Sequence, residues 1–133
     1  MSFEVVALRE EHVVFVHAAM RANEAVLHAG DIPLEEWRAC LLADDPDEAQ
    51  RIVLCDGTPA AWLKINGLCG RETAWISMLV VREDFRRCGV GSFAVRFAED
   101  FARARGFAAM QIQTTADNTA ARRCYAKLGY TIT

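Results

Sequence analysis

The sequence lacks the features that mark several large classes of protein. No apolar run approaches the roughly 18 residues that a membrane-spanning helix requires. The first residues lack a basic stretch followed by an apolar one, which argues against a secretory signal. Basic residues (15 Lys and Arg) do not outnumber acidic ones (18 Asp and Glu), so the net charge of −3 argues against a general nucleic-acid binder. We therefore expect a cytoplasmic protein that binds neither nucleic acid nor a membrane.

The cysteines lack any arrangement typical of a disulfide framework or a metal site. They form no CxxC pair, and none lies near a histidine at the spacing of metal ligands. The five are Cys40, Cys55, Cys69, Cys88 and Cys124. An odd and scattered set predicts reduced thiols, and we expect no bound metal.

The sequence does contain enough apolar material for one core. Apolar residues make up 53% of the chain and charged residues 25%, which excludes a disordered tail. A length of 133 residues is typical of one domain, so we expect residues 1–133 to fold as a single unit. Charge is divided unevenly: residues 1–81 contain 6 basic and 13 acidic side chains, and residues 82–133 contain 9 and 5. Such a split is typical of ordinary scatter, or of a polyanion held by the second half and a cation favoured by the first.

The predicted elements follow the order β-α-α-β-β-β-α-β-α-β, which indicates a mixed α/β (α+β) sandwich without internal repeats. Asp56-Gly57 between two apolar strands predicts a hairpin. Residues 74–81 are almost continuously apolar, which favours a strand buried on both faces. A helix is predicted over 92–105, and its phenylalanines recur at every fourth position and are expected to face the core: Phe93, Phe97 and Phe101.

The segment before this helix, RRCGVG at residues 86–91, has the composition of an anion-binding loop. Two glycines spaced by one residue let backbone amides point into a concavity, and the helix N-terminus adds partial positive charge. The same glycines also suit an ordinary tight turn. A Walker A loop is excluded because GxxxxGK followed by Ser or Thr does not occur. A dinucleotide-binding fingerprint is excluded because seven residues, 82–88, separate the strand from Gly89.

Two strings in the second half resemble the motifs of the GNAT superfamily of N-acetyltransferases. Residues 79–91, LVVREDFRRCGVG, resemble its acyl-CoA motif, in which a buried strand leads through an Arg/Gln-x-x-Gly-x-Gly/Ala loop into a helix. Residues 118–130, NTAARRCYAKLGY, resemble its second motif, Asn-x-x-Ala-x-x-x-Tyr-x-x-x-Gly-Phe/Tyr. The resemblance covers residues 75–130 and implies the GNAT-like acyl-CoA N-acyltransferase fold, a central, mostly antiparallel sheet flanked by helices. It also implies acetyl-CoA as the acyl donor, without a metal.

The resemblance implies roles for particular residues. Backbone amides from Arg86 to Ser92 would hold the pyrophosphate of CoA, the main chain at 79–81 would pair with pantetheine, and the N–H of Val81 or a neighbour would stabilise the oxyanion. Tyr125 would protonate the leaving thiolate, or else fill the core. The implied cofactor-binding residues are Leu79, Val80, Val81, Arg86, Arg87, Cys88, Gly89, Val90, Gly91, Ser92, Asn118 and Tyr125. The implied catalytic residues are Val81 and Tyr125.

The sequence leaves the general base and the acceptor open. The strand 75–81 contains no carboxylate, and Ser77 is its only polar side chain. Glu24, His28 and Glu72 are candidates, as is a chain of water molecules. Two functions follow from the resemblance. One is transfer of an acetyl group from acetyl-CoA to a primary amine, in a small molecule or a peptide, by direct attack in a ternary complex. The other is a catalytically silent acyl-CoA-binding or regulatory module.

The family pattern continues through a further strand after the second motif, whereas only four residues, 130–133, follow the last predicted helix here. A strand this short would leave backbone groups unpaired at the edge of the sheet. We therefore expect a homodimer, since two-fold association is the commonest way to cover such an edge.

Overall fold

The computed structural model describes residues 2–22, 32–70, 73–86 and 88–112, and within these ranges the chain forms a five-stranded sheet with helices on both faces. The strands are β1 (Phe3–Ala7), β2 (Ala49–Cys55), β3 (Thr58–Asn66), β4 (Thr73–Val81) and β5 (Ala109–Ile112). The helices are α1 (Val13–Ala22), α2 (Leu34–Leu41) and α3 (Val90–Ala104), with 3₁₀ turns at Glu10–His12 and Glu83–Phe85. Strands β1 to β4 pair antiparallel in chain order, and β5 pairs parallel to β4. This architecture confirms the predicted mixed, mostly antiparallel sheet.

The β2–β3 hairpin forms at the predicted turn. Asp56 and Gly57 have φ angles of 51° and 83°, the left-handed values that a two-residue type I′ turn requires. Cys55 pairs with Thr58 directly across the turn. The backbone N–H of Asp56 donates to the carbonyl of Ser2 at 2.8 Å, and this bond ties the hairpin to the start of β1.

Apolar residues cover both faces of the sheet. The largest buried side chain is Trp62, whose indole N–H donates to Oε1 of Gln50 at 3.0 Å and whose ring meets that of Trp37 edge-on at 5.9 Å. On the face under α1 and α2 lie Val13, Val16, Met20, Leu41, Ile52, Trp62 and Val80. On the face under α3 lie Leu63, Ile65, Ile76, Val95, Ala98 and Ala102. The sheet is therefore held between two apolar layers and forms a firm platform for the residues at its ends.

Helix α3 meets the sheet mainly through small residues, and the predicted phenylalanine stripe packs against the core at the flanks of this contact. Its fully buried residues are Val90, Ala94, Val95, Ala98 and Ala102. Alanines allow the helix axis to come close to the sheet, so larger rings are displaced to the flanks of the contact. Phe93, Phe97 and Phe101 are accordingly half-buried, and the ring of Phe93 packs against Phe3 at 5.0 Å.

Strand β4 is also less completely buried than its composition predicts. Ala74, Ile76 and Val80 are buried, whereas the remaining residues of the strand keep some exposure.

In the described part of the chain, no helix is both long and apolar enough to cross a membrane.

Asp47 organises the turn between β3 and β4, and its carboxylate accepts the backbone N–H groups of Cys69 at 3.1 Å and Gly67 at 3.2 Å. These bonds hold the pKa of the carboxyl below its ordinary value of 3.8, since they favour the ionised form. Its contribution to stability is therefore complete above the unfolded-state pKa and is lost as the pH falls through the lower folded-state pKa.

We expect Asp47→Asn to lower the Tm at neutral pH, and the difference from the wild type to narrow between about pH 5 and about pH 3. Thermal unfolding followed by circular dichroism measures this. Asp44→Asn, which changes an exposed carboxylate three residues away, is the matched control. A difference in Tm that stays constant over this range would contradict the assigned role.

Candidate functional site

The carboxyl end of β4 presents alternate backbone groups toward the edge of the strand that lies opposite to β3. The N–H of Arg82 donates to the carbonyl of Ala60 at 2.8 Å, so the polar groups of Arg82 face β3. Successive residues of a strand direct these groups to opposite edges, so those of Leu79 and Val81 face away from β3. Among the described residues, β5 pairs with β4 only along 73–76. The backbone groups of Leu79 and Val81 therefore lie along the edge of β4 opposite to β3, and backbone groups at such an edge can pair with an extended ligand.

A β-bulge lies at Ser77, just before this end of β4. Met78 pairs with Lys64 and Ile76 pairs with Ile65, which leaves Ser77 as an extra residue in β4. A bulge of this kind bends the strand and increases its twist. Ser77 is the only polar side chain of residues 75–81, but the sequence alone does not indicate the bulge.

The N-terminus of α3 lies beside the same end of β4. Gly89 is the N-cap, with φ 85° and ψ 4°, and no side chain caps the helix there. The first intrahelical bond runs from the N–H of Phe93 to the carbonyl of Gly89 at 3.0 Å. The N–H groups of the preceding positions, 89–92, therefore lack acceptors within the helix and carry its partial positive charge. Such a terminus suits an anionic ligand.

The apolar core brings the helix terminus and the strand end together. Val90 and Ala94 are buried in a cluster against which Leu79 and Val81 pack. A cluster with these members places the uncapped amides of α3 beside residues 79–81 of β4. The two features can therefore contact the two ends of one elongated molecule.

The segment between β4 and α3 is short and ordered by local bonds. Its 3₁₀ turn is closed by the N–H of Phe85, which donates to the carbonyl of Arg82 at 2.9 Å. The guanidinium of Arg82 pairs with Asp84 at 2.7 Å and lies 5.3 Å from the ring centre of Phe85. Arg82 is thus held by contacts within the turn. Arg86 is exposed at the end of the turn, close in sequence to Gly89.

The thiols near this region differ in burial. Cys55 is 3% exposed, and burial, reinforced by Asp56 and Cys88, raises the pKa of its thiol above 9.0. A raised thiol pKa means little thiolate, so Cys55 is a poor nucleophile at neutral pH. Cys88 is half-buried against the same cluster. The four cysteines in the described ranges carry free thiols, and no group of three or more potential ligands there could hold a metal ion.

The structure brings together most of the residues that the sequence predicts for a cofactor site. The described ones, all at the carboxyl end of β4 or the start of α3, are Leu79, Val80, Val81, Arg86, Cys88, Gly89, Val90, Gly91 and Ser92. Helix α3 begins at Val90, two residues earlier than predicted, so Val90, Gly91 and Ser92 form its first turn. Arg87, Asn118 and Tyr125 lie outside the described residues, as do Glu24, His28 and Glu72.

Solved structures share this fold. The chain is similar to a transcriptional regulator from Bacillus halodurans C-125, with a TM-score of 0.80 and 18% identity over 99% of this chain and 95% of that one. It is similar to a ribosomal-protein-alanine N-acetyltransferase from Brucella melitensis biovar Abortus 2308, with a TM-score of 0.78 and 12% identity over 98% and 93%. It is also similar to AAC(6')-Iy in complex with the bisubstrate analogue CoA-S-monomethyl-acetylneamine, with a TM-score of 0.73 and 18% identity over 100% and 93%.

At these identities the structural neighbours show the fold alone, and no curated protein sequence matches the chain. A model of the acetyltransferase (GNAT) family matches residues 10–130, which include β4, the loop and α3. The family uses acetyl-CoA as its acyl donor, consistent with the uncapped helix terminus beside the carboxyl end of β4. The chain therefore belongs to the acetyltransferase (GNAT) family and is an acyltransferase.

Proposed function

We propose that the chain, acting as one domain over residues 1–133, transfers an acetyl group from acetyl-CoA to the primary amine of a small molecule or a peptide. The amine attacks the thioester directly while both substrates are bound. The observation that carries the proposal is the packing of the N-terminus of α3, which no side chain caps, beside residues 79–81 of β4. The helix N-terminus suits a pyrophosphate, and the strand edge suits an extended chain that contains amides. These two groups are consecutive parts of the CoA molecule.

The fit of the pyrophosphate is supported by the space around Gly89. A Cβ built on this residue would meet no heavy atom within 4 Å. An anion can therefore approach the backbone amides of residues 89–92 without displacing a side chain. Arg86, and Arg87 beside it in the sequence, supply counter-charge in the proposed site.

The oxyanion donor is the backbone N–H of Val81. Val80 is buried, 3% exposed, and its N–H faces β3 by the alternation along the strand. Leu79 and Val81 face the other edge, and Val81 is the nearer of the two to the loop. An amide fixed in a strand stabilises developing negative charge without reorganising, so it stabilises the transition state more than the ground state.

The remaining proton transfers involve groups beyond β4. Tyr125 is the proposed acid, since a phenol can protonate a departing thiolate. Strand β4 carries no carboxylate, so the acceptor amine loses its proton to water or to a residue elsewhere. This absence also favours the alternative function, a catalytically silent acyl-CoA-binding module.

The acceptor is proposed only as a primary amine. One similar structure is a ribosomal-protein-alanine N-acetyltransferase, and another holds an acetylneamine bisubstrate analogue. Acceptors on a protein and on a small molecule thus both occur on this fold. The excess of acidic side chains in residues 1–81 favours a cationic acceptor.

The deciding experiment measures thiol release from acetyl-CoA with a panel of polyamines, amino acids, aminoglycosides and peptides with free amino groups. Because the chain has free thiols of its own, mass spectrometry of the acetylated product accompanies the thiol assay. We expect release with at least one amine and a product heavier by one acetyl group. Tight binding of CoA without release across the panel would favour the silent module.

We also propose a homodimer, and sedimentation velocity at micromolar concentration measures it. The segment 130–133 on which this expectation depends lies outside the described residues. A sedimenting monomer whose activity per molecule does not change on dilution would contradict it.

A further inference from the structure

The bulge in β4 decides which backbone groups of its carboxyl end face away from β3. With Ser77 as an extra residue, Val80 lies opposite Trp62 and Val81 opposite Ala61. Without the extra residue, every later position would shift by one. Since successive residues direct their polar groups to opposite edges, that shift would turn the N–H of Val81 toward β3. Whether the N–H of Val81 faces the proposed ligand or faces β3 therefore depends on one residue.

Ser77 is held in the bulge by its own hydroxyl. The Oγ donates to the backbone carbonyl of Lys64 at 3.3 Å and lies in hydrogen-bond contact with Oδ1 of Asn66. Both acceptors are on β3. A bulge disrupts the hydrogen-bond ladder between β4 and this strand. The hydroxyl thus links the two strands where the regular ladder is interrupted.

The partner side chain is itself oriented from the other side. The side chain of Asn66 is one of the groups that lower the pKa of Asp47, whose carboxylate accepts the N–H groups of Cys69 and Gly67. A carboxylate only accepts hydrogen bonds, so this interaction favours the amide NH₂ of Asn66 toward Asp47 and leaves its Oδ1 for Ser77. Asn66 therefore lies between the β3–β4 turn and the bulge.

We propose that Ser77 is a positioning residue for the acyl donor: its hydroxyl fixes the β4 bulge so that the backbone of Leu79 and Val81 faces the pantetheine and thioester of acetyl-CoA. The inference rests on the proposed function for the identity of that ligand. Ser77 does not touch the reacting atoms in this role. It acts through the register of β4, whereas the amides at the start of α3 do not depend on it.

This separation gives a test with two ligands. CoA spans both parts of the site, while its fragment adenosine 3′-phosphate 5′-diphosphate lacks pantetheine and reaches only the pyrophosphate loop. Calorimetry on Ser77→Ala is expected to show CoA affinity lowered about tenfold, the effect of one lost hydrogen bond. Affinity for the fragment is expected to stay within about twofold, and Ser77→Thr, which keeps the hydroxyl, to restore CoA binding to within about threefold.

Ser2→Ala is the matched control, because it removes an exposed hydroxyl beside β1. If Ser77→Ala does not fold, Ser77→Cys carries the same test, since it keeps the volume and replaces a strong donor with a weak one. Unchanged CoA affinity, or an equal loss for CoA and the fragment, would overturn the proposal. Absence of thiol release by the wild type would overturn the transferase function alone, because the comparison of the two ligands needs no turnover.

Discussion

A Tyr125→Phe variant is expected to lose about 100-fold in kcat while its affinity for acetyl-CoA stays unchanged. The substitution removes only the phenolic hydroxyl, and the ring that would pack in the core is kept. A thiolate that leaves without a proton donor is a poorer leaving group, so the loss appears in the chemical step. Steady-state kinetics at saturating acetyl-CoA and acceptor, with calorimetry for CoA, measure the two quantities.

The chain provides its own control for this experiment. It contains two tyrosines, and Tyr130→Phe makes the same chemical change five residues away. That variant is expected to keep the wild-type kcat. Equal kcat values for Tyr125→Phe and the wild type would assign Tyr125 to core packing, whereas similar losses in both variants would indicate a general effect of removing a hydroxyl from this segment.

Local chemistry explains why much of the fold could be predicted. The Asp56-Gly57 turn depends on two left-handed residues, and Asp and Gly tolerate that conformation better than most. The apolar run at 74–81 and the Gly89-Val90-Gly91 segment likewise specify a strand and a helix start by their own composition. Each of these features depends on neighbours in sequence, which is the information that a single sequence carries.

Features that depend on distant contacts could not be predicted in the same way. The bulge at Ser77 is accompanied by contacts of its hydroxyl with Lys64 and Asn66 on another strand, and nothing at positions 75–79 alone requires it. The contact face of α3 was assigned to its phenylalanines because large apolar side chains usually face a core. Ala98 and Ala102 occupy the centre of that face and the phenylalanines pack at its flanks, since the closeness of the sheet selects small residues.

The sequence predicts the loop part of the site better than the strand part. A GxG segment before a helix has a direct physical link to anion binding, and the structure places the uncapped amides there. The direction of the Val81 N–H, by contrast, depends on the bulge, which fixes the edge of β4 that each later backbone group faces. The bulge is visible only once β3 and β4 are paired. A polar residue inside an apolar strand, as at Ser77, is the one sequence signal that could have indicated it.

A Gly89→Val variant is expected to weaken CoA binding by at least about 1–3 kcal/mol, the scale of hydrogen bonds to a charged group. Gly89 has φ 85°, a left-handed value that a β-branched residue adopts only with strain. Relief of that strain would rotate the peptide and turn the first amides of α3 away from the ligand. A retained conformation would instead place the valine side chain in the open space above the loop. In either case the anion is separated from the backbone amides at the start of α3.

Gly106→Val separates this effect from backbone strain in general. Gly106 has φ 86° and equally open surroundings, but it follows the C-terminal end of α3. Both variants carry the same strain, so both are expected to lower the Tm, and only Gly89→Val is expected to lower CoA affinity in calorimetry. Equal CoA affinities in the two folded variants would place the pyrophosphate elsewhere. A loss confined to Gly89→Val would tie CoA binding to the backbone at the start of α3, because the two substitutions differ only in which end of the helix they alter.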